Sequence, residues 1–356
     1  AGEDVGERRL GSGRPRSSFG GGADGELYVI SYAGTIFSIV DGGNGQQQSD
    51  FPETLTETGC VDPNDPTQPA AGLIPYRPNA PFWSDGADKH RWIALPDGEN
   101  IQVESDGDWS FPVGTVLVKS FELDGRFIET RLFIHHEDGW GGYTYEWNDA
   151  QTDADLLEAG KVVSVDGPDG PQDWIYPSRG ECLQCHTSAA GFSLGLETAQ
   201  LNGDHDYPST GRRANQLETL RHIGVLDNAP AGEPDEMAAL PDPFGAADET
   251  ERARAYLHTN CAQCHRPDAA GVRNAFDVRF GTPLGDANIC DVEPVGFDAG
   301  VDTTRRLVAG EPDNSLMYRR AIRRDAHGMP PIGSSLVDEQ GTELLRDWIA
   351  GMQSCP

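Results

Sequence analysis

The chain has 356 residues, with 58 acidic against 27 basic side chains and a formal charge of −31. That excess excludes nucleic acid and anionic membrane surfaces as partners held by charge, and no apolar run approaches the roughly 20 residues that span a bilayer. The length suggests two to four domains, and a hydrophobic fraction of 37% with seven tryptophans supplies cores for them.

Residues 1–25 are rich in Gly and Arg and show no period. Two β-rich runs follow, 25–32 and 34–40, separated by Ala33-Gly34, and they predict a hairpin. Residues 42–50, with Gln46-Gln47-Gln48, read as a linker, which makes 1–50 a hairpin-and-linker region. Residues 51–170 read as an antiparallel β domain of sandwich type, with candidate strands at 89–95, 100–104, 115–123, 126–137 and 140–148. Asp124-Gly125 between two of them suits a tight hairpin turn, because both positions tolerate positive φ. Thr130, Leu132, Ile134 and His136 alternate with Glu129, Arg131, Phe133 and His135, so the adjacent His135 and His136 point to opposite faces and cannot easily share a metal. A copper or zinc site pairing one of them with His90 competes with the plainer reading of each as a satisfied core or surface histidine.

Two pentamers carry the chemistry: Cys182-Leu183-Gln184-Cys185-His186 and Cys261-Ala262-Gln263-Cys264-His265. In C-x-x-C-H the two thiols form thioethers with the vinyl groups of one haem, and the histidine meets the iron. With 7 Cys and 9 His in the chain, about 0.003 such pentamers are expected by chance. The alternative is a zinc clip or thiol-redox pair followed by a coincidental histidine. Two covalently bound haem c groups are therefore expected, in mainly α-helical regions at 171–243 and 244–356. The acidic excess is compatible with bound calcium, a basic redox partner or a saline habitat.

In the first haem region Pro177 breaks the helix that would precede the pentamer. Its distal iron ligand is sought among His222, His205 and Met237. His222 is favoured, because 215–223 reads as a helix ended by Gly224, with Leu220 and Ile223 on the face that covers the haem. In the second region 248–257 reads as a helix with an acidic first turn running into the pentamer, and 337–349 as a closing helix. Met329, before Pro330-Pro331, is the expected axial thioether, with His327 as its rival, and the order of these parts resembles the class I cytochrome c fold. Of the three remaining cysteines, Cys290 is expected to pair with Cys355, which leaves Cys60 free or joined to another chain.

Two further resemblances extend this reading. Ser17-Ser18-Phe19-Gly20 with Asp24-Gly25-Glu26-Leu27-Tyr28-Val29 resembles the end of the last blade of soluble PQQ-dependent sugar dehydrogenases, over about 30 residues. PQQ is implied only where a propeller precedes this chain, and no quinone-binding residue can be placed. Pro81-Phe82-Trp83-Ser84-Asp85-Gly86-Ala87, Glu129-Thr130-Arg131-Leu132, Tyr145-Glu146-Trp147-Asn148 and Gly180-Glu181-Cys182 resemble a family of bacterial dihaem c-type cytochromes with an N-terminal β domain. That likeness runs from about Leu73 to the end and implies electron transfer.

Haem c is attached outside the bacterial cytoplasm, so a periplasmic or extracellular location is expected. Ala1 opens no signal peptide, which reads as a mature or truncated chain. Three functions compete. The first is an electron relay, not itself an enzyme, meeting redox partner proteins and self-assembling through the hairpin or Cys60. The second is the cytochrome portion of a quinoprotein dehydrogenase. The third is an open-haem enzyme such as a dihaem peroxidase, for which no acid–base pair is visible. A Met/His pair raises potential relative to two nitrogen ligands, so with His222 on the first iron, electrons would run from the His186 haem to the His265 haem.

Overall fold

The computed structural model describes residues 16–21, 27–31, 36–38, 51–269, 276–294 and 305–356. The described chain forms two compact units: residues 1–52 with 137–139, and residues 53–136 with 140–356. In the first, β1 (Arg16–Gly21), β2 (Leu27–Ser31) and β3 (Ile36–Ser38) make an antiparallel sheet in chain order. The expected hairpin is β2 with β3, Val29 facing Phe37. A strand that was not expected precedes it. The turn at Ala33-Gly34 and the linker at 42–50 lie outside the described residues.

The second unit begins with the short pair β4 (Val61–Asp62) and β5 (Asp65–Pro69). Its main sheet has six strands, β6 (Ile74–Pro75), β7 (Asp88–Ala94), β10 (Val116–Leu123), β11 (Arg126–His136), β12 (Gly139–Trp147) and β13 (Ala154–Leu156), in the order β13-β12-β11-β10-β7-β6. The excursion between β7 and β10 carries β8 (Ile101–Val103) and β9 (Trp109–Ser110). Asp124 and Gly125 take φ of 47° and 75° between β10 and β11, so both central residues of that turn are left-handed, as its sequence requires. One face of the sheet buries Ser120 and Thr130, whose hydroxyls are 2.8 Å apart, with the Trp147 indole donating to Thr130 at 2.9 Å. The other face carries Ile93 and Arg91 on β7, Leu117, Lys119 and Phe121 on β10, and Arg131 and Phe133 on β11 in direct register.

The expected sandwich is not formed. The inner face of the sheet is covered by the segment of the first pentamer: Ile93, Leu117 and Phe133 share a core with Leu196, Leu201, Leu217 and Leu220, against which Cys182 packs. The hairpin of β14 (Lys161–Gly167) and β15 (Gly170–Tyr176) runs across the expected domain boundary at 170 and packs Trp174 and Tyr176 on Phe121 and Leu123.

The two mainly α-helical haem regions are overturned as well. The structure is mostly β-sheet and 21% helical, with six α-helices among the described residues. Around the first pentamer stand α1 (Arg179–Cys185), α2 (Thr198–Leu201), the hairpin of β16 (Asp204–Tyr207) and β17 (Arg212–Asn215), α3 (Gln216–His222), and β18 (Leu226–Asp227), which pairs in parallel with β8. Frequent Gly and Pro between these elements prevent longer helices. Around the second stand α4 (Glu249–Cys261), α5 (Leu316–Ala321) and α6 (Glu339–Gly351), joined by long loops. Helices α4 and α6 cross closely at Gly341, where a Cβ would stand 2.2 Å from the Tyr256 ring. Leu257, Leu345, Trp348 and Ile349 fill the core they share with Ile289 and Leu307. Cys290 is bonded to Cys355 with Cα atoms 5.6 Å apart, fixing the chain end to this core. Cys60 is a free thiol only 7% exposed, which agrees with its staying free and not with its joining another chain.

Candidate functional site

The first pentamer is placed by a strand, a proline and a cap. β15 ends at Tyr176, Pro177 stops the ladder, and Ser178 caps α1 by accepting from the Glu181 N–H while the Glu181 carboxylate accepts from the Ser178 N–H at 2.8 Å. Cys182 then lies on α1 against the backbone of β12, where a Cβ on Gly142 would stand 2.6 Å from its Sγ. His186 follows the helix, its Nδ1 hydrogen-bonded to the Phe192 carbonyl at 2.6 Å and its ring 4.2 Å from that of Phe133. A ring that donates from Nδ1 presents Nε2 as a lone pair, the form that ligates a metal.

The second pentamer is carried by α4, whose N-cap Asp248 accepts from the Thr250 N–H and whose first turn holds Glu249 and Glu251. The ring of His265 stacks on Phe276 at 4.2 Å, and the Arg306 guanidinium lies 5.2 Å over that phenyl ring. His265 Nδ1 is buried and makes no hydrogen bond among the described residues. A buried ring nitrogen without a partner is costly, and a group bound at that nitrogen offsets the cost.

Both pentamers open on one cavity of about 550 Å³, and Met329 lines it too. The two segments touch: Cys264 Sγ lies 3.7 Å from the Gln184 carbonyl, and the Thr187 hydroxyl donates to the Gln263 carbonyl at 3.2 Å. Arg266 ties them further through the Ala189 carbonyl at 2.9 Å and the Asp108 carboxylate at 3.6 Å.

Electrostatics separate the haem reading from the thiol-redox one. Burial pushes the Cys185 thiol up to about 11 and the Cys261 thiol up to about 12, and raises Cys182 and Cys264 as well. Redox-active C-x-x-C pairs instead hold one thiol low. Burial, then Lys119 beside it, lowers His186 to about 3, and burial, then Arg320 and Arg306, lowers His265 to about 4. Both imidazoles are therefore neutral and ready to ligate at neutral pH. Four unbridged thiols in two C-x-x-C pairs, each with a neutral histidine aimed into a shared cavity, fit two thioether-bound haems.

Comparison with protein-family models, curated proteins and solved structures returns no match. The assignment of each remaining residue rests on its own geometry.

His222, expected as a distal ligand, stands exposed at the end of α3 and does not line the cavity. Helix α3 turns Leu217 and Leu220 into the core, which carries His222 to the far side, and Ile223 is 48% exposed rather than covering a haem. Neither rival lines the cavity: His205 stacks edge-on with Tyr207 in the β16–β17 hairpin, and Met237 packs beside the first core. Met329 is held by its N–H to the Arg320 carbonyl at 2.9 Å and by its carbonyl to Arg324 at 3.1 Å, while His327 lies off the cavity. The imagined copper or zinc pairing does not form. His90 bonds Glu122 at 2.7 Å, His135 bonds the Phe111 carbonyl at 2.9 Å, and His136 bonds the Tyr143 hydroxyl at 2.9 Å.

The sheet wall of the cavity carries residues outside the expected site. Arg131 forms a two-point pair with the fully buried Glu129, which also accepts from the Trp174 indole at 2.9 Å. Lys119 sits in register between Arg91 and Arg131 and faces the cavity, its pKa driven well down by burial and by those two cations. The available signal was a lysine with the parity of Leu117 and Phe121 inside an otherwise apolar inward row.

Proposed function

We propose that this chain is a dihaem c-type cytochrome that carries electrons outside the cytoplasm, with haem bonded through Cys182 and Cys185 and through Cys261 and Cys264. The observation that carries the reading is the contact between the two pentamers inside one cavity. Haem bound there supplies one-electron cycling of its iron. The residues around it hold His186 and His265 neutral and pack their rings on Phe133 and Phe276, tilted at the first and stacked at the second. The Cys290–Cys355 bond suits an oxidising compartment. Charge complementarity favours a basic redox partner for so acidic a surface.

The test is intact mass and pyridine haemochrome analysis of protein made with its maturation machinery, followed by potentiometry monitored by EPR. Two covalent haems titrating as two separate low-spin centres are expected. A chain that acquires no covalent haem, or that reduces peroxide with turnover, sinks the relay reading.

A second reading, the electron-accepting portion of a quinoprotein dehydrogenase, draws on the antiparallel strands β1–β3 of the first unit. Reduction of the haems by a PQQ-loaded propeller supplied in cis or in trans would favour it.

A further inference from the structure

We propose that Lys119 is the sixth ligand of the iron held by His186, making that site a histidine–lysine centre. The inference rests on the dihaem reading and deepens it. Lys119 projects from the middle of β10 into the cavity, diagonal on the sheet to Phe133, the ring against which His186 lies. Its neighbours on both sides are cations, and the nearest buried carboxylate, Glu129, is taken by Arg131 and Trp174. Among the described residues the Lys119 amine has no hydrogen bond and no ion pair. In a chain with 58 acidic residues, an amine left without a carboxylate inside a cavity points to a ligand that the cavity itself holds.

The other cavity-lining donors are engaged or go to the second site. His258 has both ring nitrogens engaged, Nε2 with Glu197 at 2.7 Å and Nδ1 with the Phe280 N–H at 3.0 Å. Met329 stands on the loop that Arg320 holds, and Arg320 acts on His265, so its thioether is assigned to the second site, while Met317 packs in the second core. Lys119 is the remaining side chain there with a nitrogen lone pair to give. It also lies within electrostatic reach of Cys182, Cys185 and His186. The amine ligates in its neutral form, its proton going to solvent. Two nitrogen ligands lower the potential of this iron relative to one with a thioether, which restores the electron path from the His186 haem to the His265 haem without His222.

The test uses the ferric holoprotein with both haems attached, studied by EPR and near-infrared magnetic circular dichroism beside Lys119→Ala and Lys119→Arg. In the wild type, one centre should show a charge-transfer band of two nitrogen ligands. In both variants, half of the ferric haem should become high-spin and, once reduced, bind carbon monoxide, because neither methyl nor guanidinium ligates. Both variants retaining two wild-type low-spin centres overturns the proposal, as does Lys119→Arg behaving as wild type while Lys119→Ala does not, since a propionate then needs only a positive charge. Where the variants fail to mature, the wild-type band decides: a thioether signature at both centres, or a high-spin centre, overturns the assignment. A wild-type chain whose mass lacks the haem at Cys182 and Cys185 instead overturns the dihaem reading, and that outcome is distinguishable from the others.

Discussion

Positive charge enters the interior of this acidic chain along one sheet face, through Lys89, Arg91, Lys119 and Arg131, and each side chain finds a different resolution. Arg131 takes a buried glutamate and Arg91 a backbone carbonyl, while Lys89 donates to the Phe82 carbonyl. Burial, then Arg91, drives Lys89 from 10.5 down to about 7, against the opposing pull of Asp88, Asp338 and Asp85. Its folded pKa is depressed, so between about 7 and 10.5 the unfolded chain binds the extra proton, and stability rises with pH across that window. Below the folded pKa the full penalty is present, on the order of 5 kcal/mol. Lys89→Met should therefore stabilise the holoprotein most near pH 6, and the advantage should fade as pH approaches 10. Denaturant unfolding of both proteins at several pH values measures this. A difference independent of pH would show that Lys89 keeps its charge on folding without cost.

At the scale of elements, Asp85 holds together parts of the chain far apart in sequence. It is 2% exposed, and its carboxylate accepts from the Ser334 hydroxyl at 2.6 Å, the Ser335 N–H at 2.7 Å and the Leu336 N–H at 3.1 Å. Those residues end the loop that carries Met329 along the cavity. Asp85→Ala leaves several donors unmet at once and should cost about 3 kcal/mol or more. On the dihaem reading, with Met329 as the axial thioether of the second site, it should also loosen that ligand and give a high-spin component there, and Asp85→Asn should recover part of both losses. Calorimetry with EPR checks the pair, and an unchanged haem spectrum beside a lowered melting temperature would confine Asp85 to a structural role. Such links explain which elements could be read from the chain alone. Strands β7, β8, β10, β11 and β12 follow from local alternation and from the Asp124-Gly125 turn, and α3, α4 and α6 from their caps and periodicity. The layer opposite the sheet could not be read locally. It depends on which loop covers the face of Leu117 and Phe133, and that cover comes from α1 and the residues after it. The same limit explains His222: the helix was legible, but the face it turns inward was set by a core assembled from distant strands.

For the whole molecule the cavity is the controlling feature. Leu117, Phe133 and Phe276 turn apolar surface onto its space of about 550 Å³, and a group filling that space would give those side chains contacts that water does not. On the dihaem reading the bound groups would be structural as well as redox-active, and the sheet wall and the α4–α6 pair would depend on them together, because both pentamers line one space. Replacing Cys182, Cys185, Cys261 and Cys264 by alanine should lower the melting temperature by more than about 10 °C and broaden the transition. Replacing only Cys182 and Cys185 should weaken both halves, seen as a loss of near-UV dichroism from Trp174 on the sheet side and from Trp348 in the α4–α6 core. If the doubly substituted chain kept the Trp348 signal and a sharp transition for the second core, the two sites would be independent. Contact between the pentamers would then serve electron passage without coupling their stability.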